Sequence, residues 1–510
     1  MRLKIAKVSF LIAAFLLPGF LQAQVDYTVT FSLDNGYNNS DEIQKVLINT
    51  AREGTRNFYS NWLEGNLRYK NWRLGARMEM HLPPQTFDPD QAVRRTLEHR
   101  FLEYNRGTWR VRGGTNYTLM GRGLTLRMYE ERQLRYDTKL DGLYGEYLGK
   151  RIDIKAMVGQ PVLLSGVRED FLQAAEVRVK AYKSFQVGGT AVNTHFDQVE
   201  DQVQWGSLFS QVNTNYGDFY AEYARKYLPG QTANGAPDGE ALYLNSNVLL
   251  GSVSFSLEYK SYDLFKIEDP VGESLKKPNT NPYNNPPLVS QDHLFTLLNR
   301  RQLIQNANSE EGYLVEATLP VADGAILKAN YSITDNKNGA RIYEEVYSQF
   351  EWTTDTDREW EFLLAGSQQK DIDGRFLNGV FSTGVSLSDY NSLKLVYEHQ
   401  HVKLDLANYV ENPQYYNHLF SAGFSRAPGW TLAFLGERTT KPENLRSGLA
   451  EDDGTRKKVW GGLQLDLSLF DKVDMTLFGG TRRGGKVCIG GVCVFKPPLE
   501  GVEVTLTARL

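Results

Sequence analysis

Trp72-Arg73-Leu74-Gly75-Ala76-Arg77-Met78-Glu79-Met80-His81-Leu82 alternates between apolar and polar residues along its whole length. On a β-strand, Trp72, Leu74, Ala76, Met78, Met80 and Leu82 share one face, and Arg73, Gly75, Arg77, Glu79 and His81 share the other. Two arginines and a glutamate on one face demand water or partners there, since an isolated buried charge is prohibitively costly. The same split recurs at Ala175, Val177, Val179 and Ala181 against Glu176, Arg178, Lys180 and Tyr182. It recurs again at Phe219, Ala221 and Tyr223 against Tyr220, Glu222 and Ala224. A soluble β-sandwich would also alternate, so the period alone does not decide the fold.

The connections between the alternating runs carry more. Short ones, such as Lys70-Asn71, Tyr216-Gly217-Asp218, Asp389-Tyr390-Asn391 and Phe470-Asp471-Lys472, take turns with longer polar ones at 83–97, 160–172, 228–240, 263–310, 403–414 and 440–456. Outer-membrane barrels sort their loops this way, with short periplasmic turns and long outer loops, and a sandwich has no reason to. The chain therefore reads as all-β, a single-chain antiparallel transmembrane β-barrel. About 24 strands are expected, within a range of roughly 22 to 26, because bacterial single-chain barrels take an even number. The run 119–138 is read as a luminal or outer-mouth segment and not as strands of the wall. Charge on both of its faces, with Arg122, Arg127, Glu130 and Glu131 prominent, points the same way and makes these four the candidate luminal constriction.

The N-terminus places the barrel. Arg2, Lys4 and Lys7 precede an apolar run from Val8 to Leu17, and Leu21-Gln22-Ala23 offers a cleavage site. This is the pattern of a secretory signal peptide, residues 1–23, leaving 24–510 as the barrel. Past it no apolar run is long enough for a membrane helix, and the mean hydropathy is −0.44. A barrel permits that, because half its strand residues face a polar lumen. With 28 Tyr, 25 Phe and 8 Trp the chain can supply aromatic girdles, and its 45 Gly suit turns. The net charge of −4, with Lys and Arg scattered among the acids, excludes a basic nucleic-acid stripe.

At the other end Val502, Val504, Leu506, Ala508 and Leu510 alternate with Glu503, Thr505, Thr507 and Arg509. This resembles the C-terminal signal read by the barrel assembly machinery, although Leu510 stands where an aromatic residue is usual. Assembly machinery and outer-membrane lipid are thus the expected partners.

Few residues invite chemistry. Cys488 and Cys493 flank the strong turn Gly490-Gly491, so they fall opposite each other at a non-hydrogen-bonded pair. In an oxidising compartment a disulfide is expected. His399 and His401 share a strand face, but no third ligand lies nearby in sequence. No Ser or His signature of a hydrolase is present, so neither catalysis, a metal nor a cofactor is expected. Asp371-Ile372-Asp373-Gly374, Asp335-Asn336-Lys337-Asn338-Gly339 and Glu451-Asp452-Asp453-Gly454 lack the spacing of a calcium loop and read as turns. The long outer loop 263–310 holds Pro270, Pro278, Pro282, Pro286 and Pro287, then a predicted helix from His293 to Gln302 with Leu294, Leu297 and Leu298 on one side. Loops of that length are usually functional. It either folds inward to narrow the lumen or covers a partner outside.

Three patches resemble one family: Gly114-Thr115-Asn116-Tyr117 with Met120-Gly121-Arg122-Gly123-Leu124; Asn284-Asn285-Pro286-Pro287 with His293, Leu298, Asn299 and Arg300; and Cys488-Ile489-Gly490-Gly491-Val492-Cys493. The chain is similar to the uncharacterised outer-membrane barrels of Bacteroidota known by their domain of unknown function 6029. That resemblance implies location and fold and no substrate. Two functions survive: a pore for a small polar or lipid-like solute, or a barrel scaffold with a blocked lumen that docks a protein through its outer loops. The residues before 119 already read as strands, so a TonB-type plug domain and energised uptake are not expected.

Overall fold

A computed structural model describes residues 25–39, 56–82, 94–132, 136–162, 170–195, 202–227, 239–266, 283–304, 306–354, 358–405, 413–442, 457–489, 492–496 and 498–510. The expected signal peptide, the turn Gly490-Gly491 and the acidic run 451–454 lie outside these residues.

The wall opens with β1 (Val25–Asn38), β2 (Asn57–Tyr69), β3 (Trp72–Leu82), β4 (Arg94–Asn105) and β5 (Trp109–Asn116). Four short strands then leave it: β6 (Thr118–Met120), β7 (Leu126–Met128), β8 (Glu130–Glu131) and β9 (Tyr136–Asp137). It resumes with β10 (Leu140–Leu148), β11 (Ile152–Pro161), β12 (Phe171–Lys180), β13 (Phe185–His195), β14 (Gln202–Thr214), β15 (Gly217–Tyr227), β16 (Glu240–Leu250) and β17 (Val253–Asp263). After one helical turn, α1 (Thr296–Asn299), come β18 (Ser309–Ala322), β19 (Ala325–Asp335), β20 (Arg341–Thr353), β21 (Trp360–Asp371), β22 (Gly374–Ser386) and β23 (Asn391–Leu404). The last are β24 (Gln414–Arg426), β25 (Trp430–Thr439), β26 (Val459–Leu469), β27 (Val473–Arg482), the off-wall pair β28 (Gly485–Ile489) and β29 (Val492–Lys496), and β30 (Leu499–Arg509).

Successive wall strands pair antiparallel in one 24-stranded sheet. Strand β5 pairs β10 across the excursion 117–139, β27 pairs β30 across β28–β29, and β30 pairs β1 to close the cylinder. Closure is what lipid requires, because an open edge would leave backbone groups unpaired in hydrocarbon. The expected count of 24 strands is met, with the excursion 117–139 outside the wall.

Burial is inverted relative to a soluble protein. On β15, Phe219 and Tyr223 are exposed while Tyr220, Glu222 and Ala224 are buried. On β3, Trp72, Leu74 and Met78 are exposed and Arg77 is 2% exposed. Apolar side chains point out to lipid, polar ones in. Exposed rings gather at the short-turn rim, where Trp72 packs at a tilt against Tyr104 and Trp109 against Tyr147, their centroids 4.9 and 4.6 Å apart. Such belts belong at a membrane–water interface.

Candidate functional site

The lumen is filled by two stretches of the chain's own connections. The first is 117–139. It leaves the wall at Gly114, whose φ of +103° suits glycine, and Asn116 pins the departure by donating its side-chain amide to the carbonyls of Gly114 and Gly142. Met120, Leu124, Leu126 and Met128 are at most 2% exposed and join a cluster with Trp205, Tyr220, Tyr243 and Tyr262 on the inner wall. Two wall carboxylates hold its backbone: Gly121 N–H donates to Glu176 at 2.8 Å and Arg122 N–H to Glu222 at 2.9 Å. Glu222 also accepts from Ser207 and Tyr220. Trp205 Nε1 donates to the Thr125 carbonyl at 2.6 Å.

The segment's far end crosses to the opposite arc. Glu130 receives a bidentate pair from Arg77 at 2.7 and 3.0 Å, and Arg132 bonds Glu64 while lying over the Trp62 ring. Of the four candidate constriction residues, Glu130 meets a wall arginine. Arg122 lies over Tyr220 and Arg127 over Tyr129, and Glu131 sits on β8 opposite Tyr136. On β3, Arg73 bonds Asn66 and lies over Phe101. Within the segment, burial pushes the Asp137 carboxyl up, opposed by Lys139 at 2.8 Å. Burial, then the neighbouring Asp137 and Glu130, push the Tyr117 hydroxyl up as well.

The second stretch is 283–304, part of the loop between β17 and β18, and it folds inward. Asn284 and Asn285 staple it to the first. Asn284 Nδ2 donates to the Leu124 carbonyl at 3.0 Å, Asn285 N–H to Gly123 O at 3.2 Å, and Arg127 N–H to Tyr283 O at 3.0 Å. Tyr262 then donates to Pro287 O. Beyond the prolines the chain crosses to β20–β25. Leu288 and Leu303 pack on Tyr343, and Leu298 packs with Tyr347, Ala365 and Val380. His293 Nε2 meets Glu345 at 2.8 Å. Thr296 and Leu297 donate their N–H groups to Glu398, while Gln400 and Gln369 donate to the carbonyls of Leu297 and Leu298. Arg300 and Arg483 share Glu437, and Arg301 binds Asp373 at 2.7 Å. The predicted helix His293–Gln302 is corrected to one turn, α1, with Leu294 87% exposed, because these wall groups take backbone bonds that a longer helix would use internally.

Polar wall groups beside this stretch are left over. Asn330, Ser332 and Thr334 follow one another on the inner face of β19, all buried, and their side-chain N and O atoms have no hydrogen-bond partner among the described residues. His293 Nδ1 and Gln302 Oε1 likewise have no hydrogen-bond partner among the described residues. On the inward faces of β26, β27, β30 and β1, Ser32, Trp460 and Phe478 are buried but Gln464, Asp466, Thr476, Glu503, Thr505 and Asp34 are half-buried, so the filling covers that arc less fully than β19–β23.

Elsewhere the polar constellations are structural. His399 and His401 face outward, and His399 Nδ1 lies 3.3 Å from His418 Nδ1. No group of three or more His, Cys, Asp or Glu fit for a metal occurs among the described residues. Asp371 accepts from the turn amides of Asp373 and Gly374, as a turn residue should. The backbone register sets Cys488 opposite Cys493. The wall residues that grip the two stretches, Glu176, Glu222, Glu345 and Glu398, were missed in the sequence reading. Their only signal was a carboxylate midway along the polar face of a strand.

No curated protein matches the chain. The model of a Family of unknown function (DUF6029) matches residues 3–372, and the chain belongs to that family. Among solved structures it is similar to a chain of the E. coli P pilus tip assembly intermediate PapC-PapD-PapK-PapG, at 10% identity and TM-score 0.55, covering 97% of this chain and 62% of that one. The P pilus usher (PapC) translocation pore aligns at 10% identity and TM-score 0.45, covering 95% and 99%. OccK5 (OpdH) of Pseudomonas aeruginosa aligns at 10% identity and TM-score 0.39, covering 71% and 97%. The protein is an outer-membrane β-barrel.

Proposed function

We propose that this DUF6029 barrel is a non-enzymatic, gated channel for a small polar solute, restricted by 117–139 and 283–304. One observation carries the reading: the inner wall keeps half-buried polar residues along β26, β27, β30 and β1, beside a filling drawn from loops. A barrel built only as a scaffold has no need of a polar, water-accessible arc. The blocked scaffold remains the second reading, favoured by how completely β19–β23 is covered. Residues 1–23 serve as the export signal, the last strand as the assembly signal, and Cys488 and Cys493 form a disulfide at an outer tip.

Planar bilayer recording tests the function. Protein in which 288–303 is replaced by a short Gly-Ser linker should give large, steady single-channel steps, and wild-type protein smaller, flickering ones. A linker variant that inserts, yet carries no current, would defeat the channel reading and leave the scaffold.

A further inference from the structure

The lipid face of the wall carries its charge unevenly at one rim. Lys370, Arg375, Lys403, Gln414 and Arg438 stand at the same ends of β21, β22, β23, β24 and β25. Those ends adjoin the long connections 405–413 and 440–458, so they form the outer rim. The register sets Lys370 opposite Arg375, Arg375 opposite Lys403 and Lys403 opposite Gln414, one row across four strands. Alternation puts this row on the face of Leu377, Phe381, Phe420 and Phe434, all exposed toward lipid. Neighbouring strands lie about 4.8 Å apart, so three cations stand side by side. Like charges directly opposite each other destabilise a sheet. At the outer ends of β16 and β17 the same face carries Glu240 opposite Asp263 instead.

The acids nearby are committed elsewhere or lie off the strands. Among the described residues, none of Lys370, Arg375, Lys403 and Arg438 makes an ion pair. Glu344, across from Lys370 on β20, is held by Arg341 at 2.7 Å. Asp371 and Asp373, in the turn above, bind Arg301. Asp405 lies one residue past the end of β23. Beneath the row come rings with polar edges, each step about 6.6 Å nearer the membrane middle. His401 faces Tyr416, and His399 faces His418, which in turn faces Arg438. The Tyr397 hydroxyl lies 2.8 Å from His418 Nδ1. Below these the face is apolar, with Phe381, Phe420 and Phe434. From the rim inward the order is thus cation, polar ring, hydrocarbon. A lipid with an anionic head, a polar linkage and acyl chains has the same order.

We propose that the outward row Lys370, Arg375 and Lys403, with Arg438 beside it, docks the phosphate of a phosphorylated lipid in the outer leaflet, whose acyl chains lie on Leu377, Phe381, Phe420 and Phe434. The Arg375 guanidinium suits bidentate contact with a phosphate, and the ammonium groups on either side add charge. An anion seated there also relieves the repulsion within the row. The occupant is a lipid and not free phosphate, because the cations stand directly above an apolar belt that faces the membrane. The inference goes beyond the channel reading and does not depend on an open lumen.

The test uses the mature barrel in detergent and native mass spectrometry, with lipid A carrying two phosphates, one or none as the probe. Wild-type protein should bind the doubly phosphorylated form about tenfold or more tighter than the phosphate-free form. That comparison needs no variant, and equal affinity for all three forms overturns the proposal. Lys370→Gln with Arg375→Gln and Lys403→Gln should then weaken binding of the doubly phosphorylated form about tenfold or more. A control removes as much charge at the opposite rim, where Lys150, Arg151 and Lys472 are exposed at short turns. Lys150→Gln with Arg151→Gln and Lys472→Gln should leave binding within about twofold. Equal losses in the two triple variants would trace binding to net charge and overturn the site. Inorganic phosphate should fail to displace the lipid. Displacement by it at the lipid's own binding concentration would make free phosphate the occupant and overturn lipid docking. None of these outcomes bears on conductance, so the channel reading stands or falls separately.

Discussion

Gly121 shows how tightly single residues tune the filling. Its φ is +59°, and a Cβ there would lie 2.1 Å from Glu222 Oε1. An alanine would pay about 1–2 kcal/mol for the left-handed backbone alone, and would push aside the carboxylate that accepts the Arg122 amide. Gly121→Ala should therefore loosen 117–139 without opening the wall. A cysteine at Leu126, buried in the parent, should react with a water-soluble maleimide about tenfold faster in that variant. No change in labelling would mean that Glu222 does not grip the segment. Sequence reading saw the polarity of this segment and not its grip. Arg122 and Arg127 lie over tyrosine rings. The carboxylate that the Arg122 amide does find is 100 residues away, and no local pattern records such a meeting.

At the scale of elements, hairpins were legible and excursions were not. Each wall strand follows the period-two pattern, which water on one side and lipid on the other impose directly. Loops that fold inward obey no such period. The one-turn α1 illustrates this: Leu294, Leu297 and Leu298 suggested a helical face, yet Glu398, Gln369 and Gln400 on distant strands decide where its backbone bonds go. The β28–β29 hairpin is simpler, because its register sets Cys488 against Cys493 without help from the wall. Alkylation of freshly isolated membranes without reductant, followed by mass spectrometry, should find both thiols protected. Full labelling of both would remove the disulfide. Cys488→Ser with Cys493→Ser should still give a folded barrel, since the bond closes only a short loop and stabilises chiefly its tip.

Across the whole molecule, the seam decides whether there is a barrel at all. Strand β30 is bonded on both sides, to β27 and to β1, and Leu510 exchanges backbone hydrogen bonds with Val29 at 2.8 and 3.0 Å. The alternation of Val502, Val504, Leu506, Ala508 and Leu510 thus coincides with the strand that closes the cylinder. In a soluble sheet, losing an edge strand exposes backbone to water, which can bond it. In lipid nothing replaces the lost partner, and each orphaned group costs several kcal/mol, roughly 2–7. Deleting residues 502–510 would orphan the facing edges of β27 and β1 together. That variant should be absent from the outer membrane and should show no difference between boiled and unboiled samples on SDS gels. Deleting residues 486–495 removes about as many residues, but from a hairpin that, among the described residues, pairs only with itself. It should keep the gel shift and the outer-membrane location. If both deletions fold equally well, closure through β30 is not what holds the barrel. If both fail, the off-wall hairpin has a part in assembly that its separate pairing does not suggest.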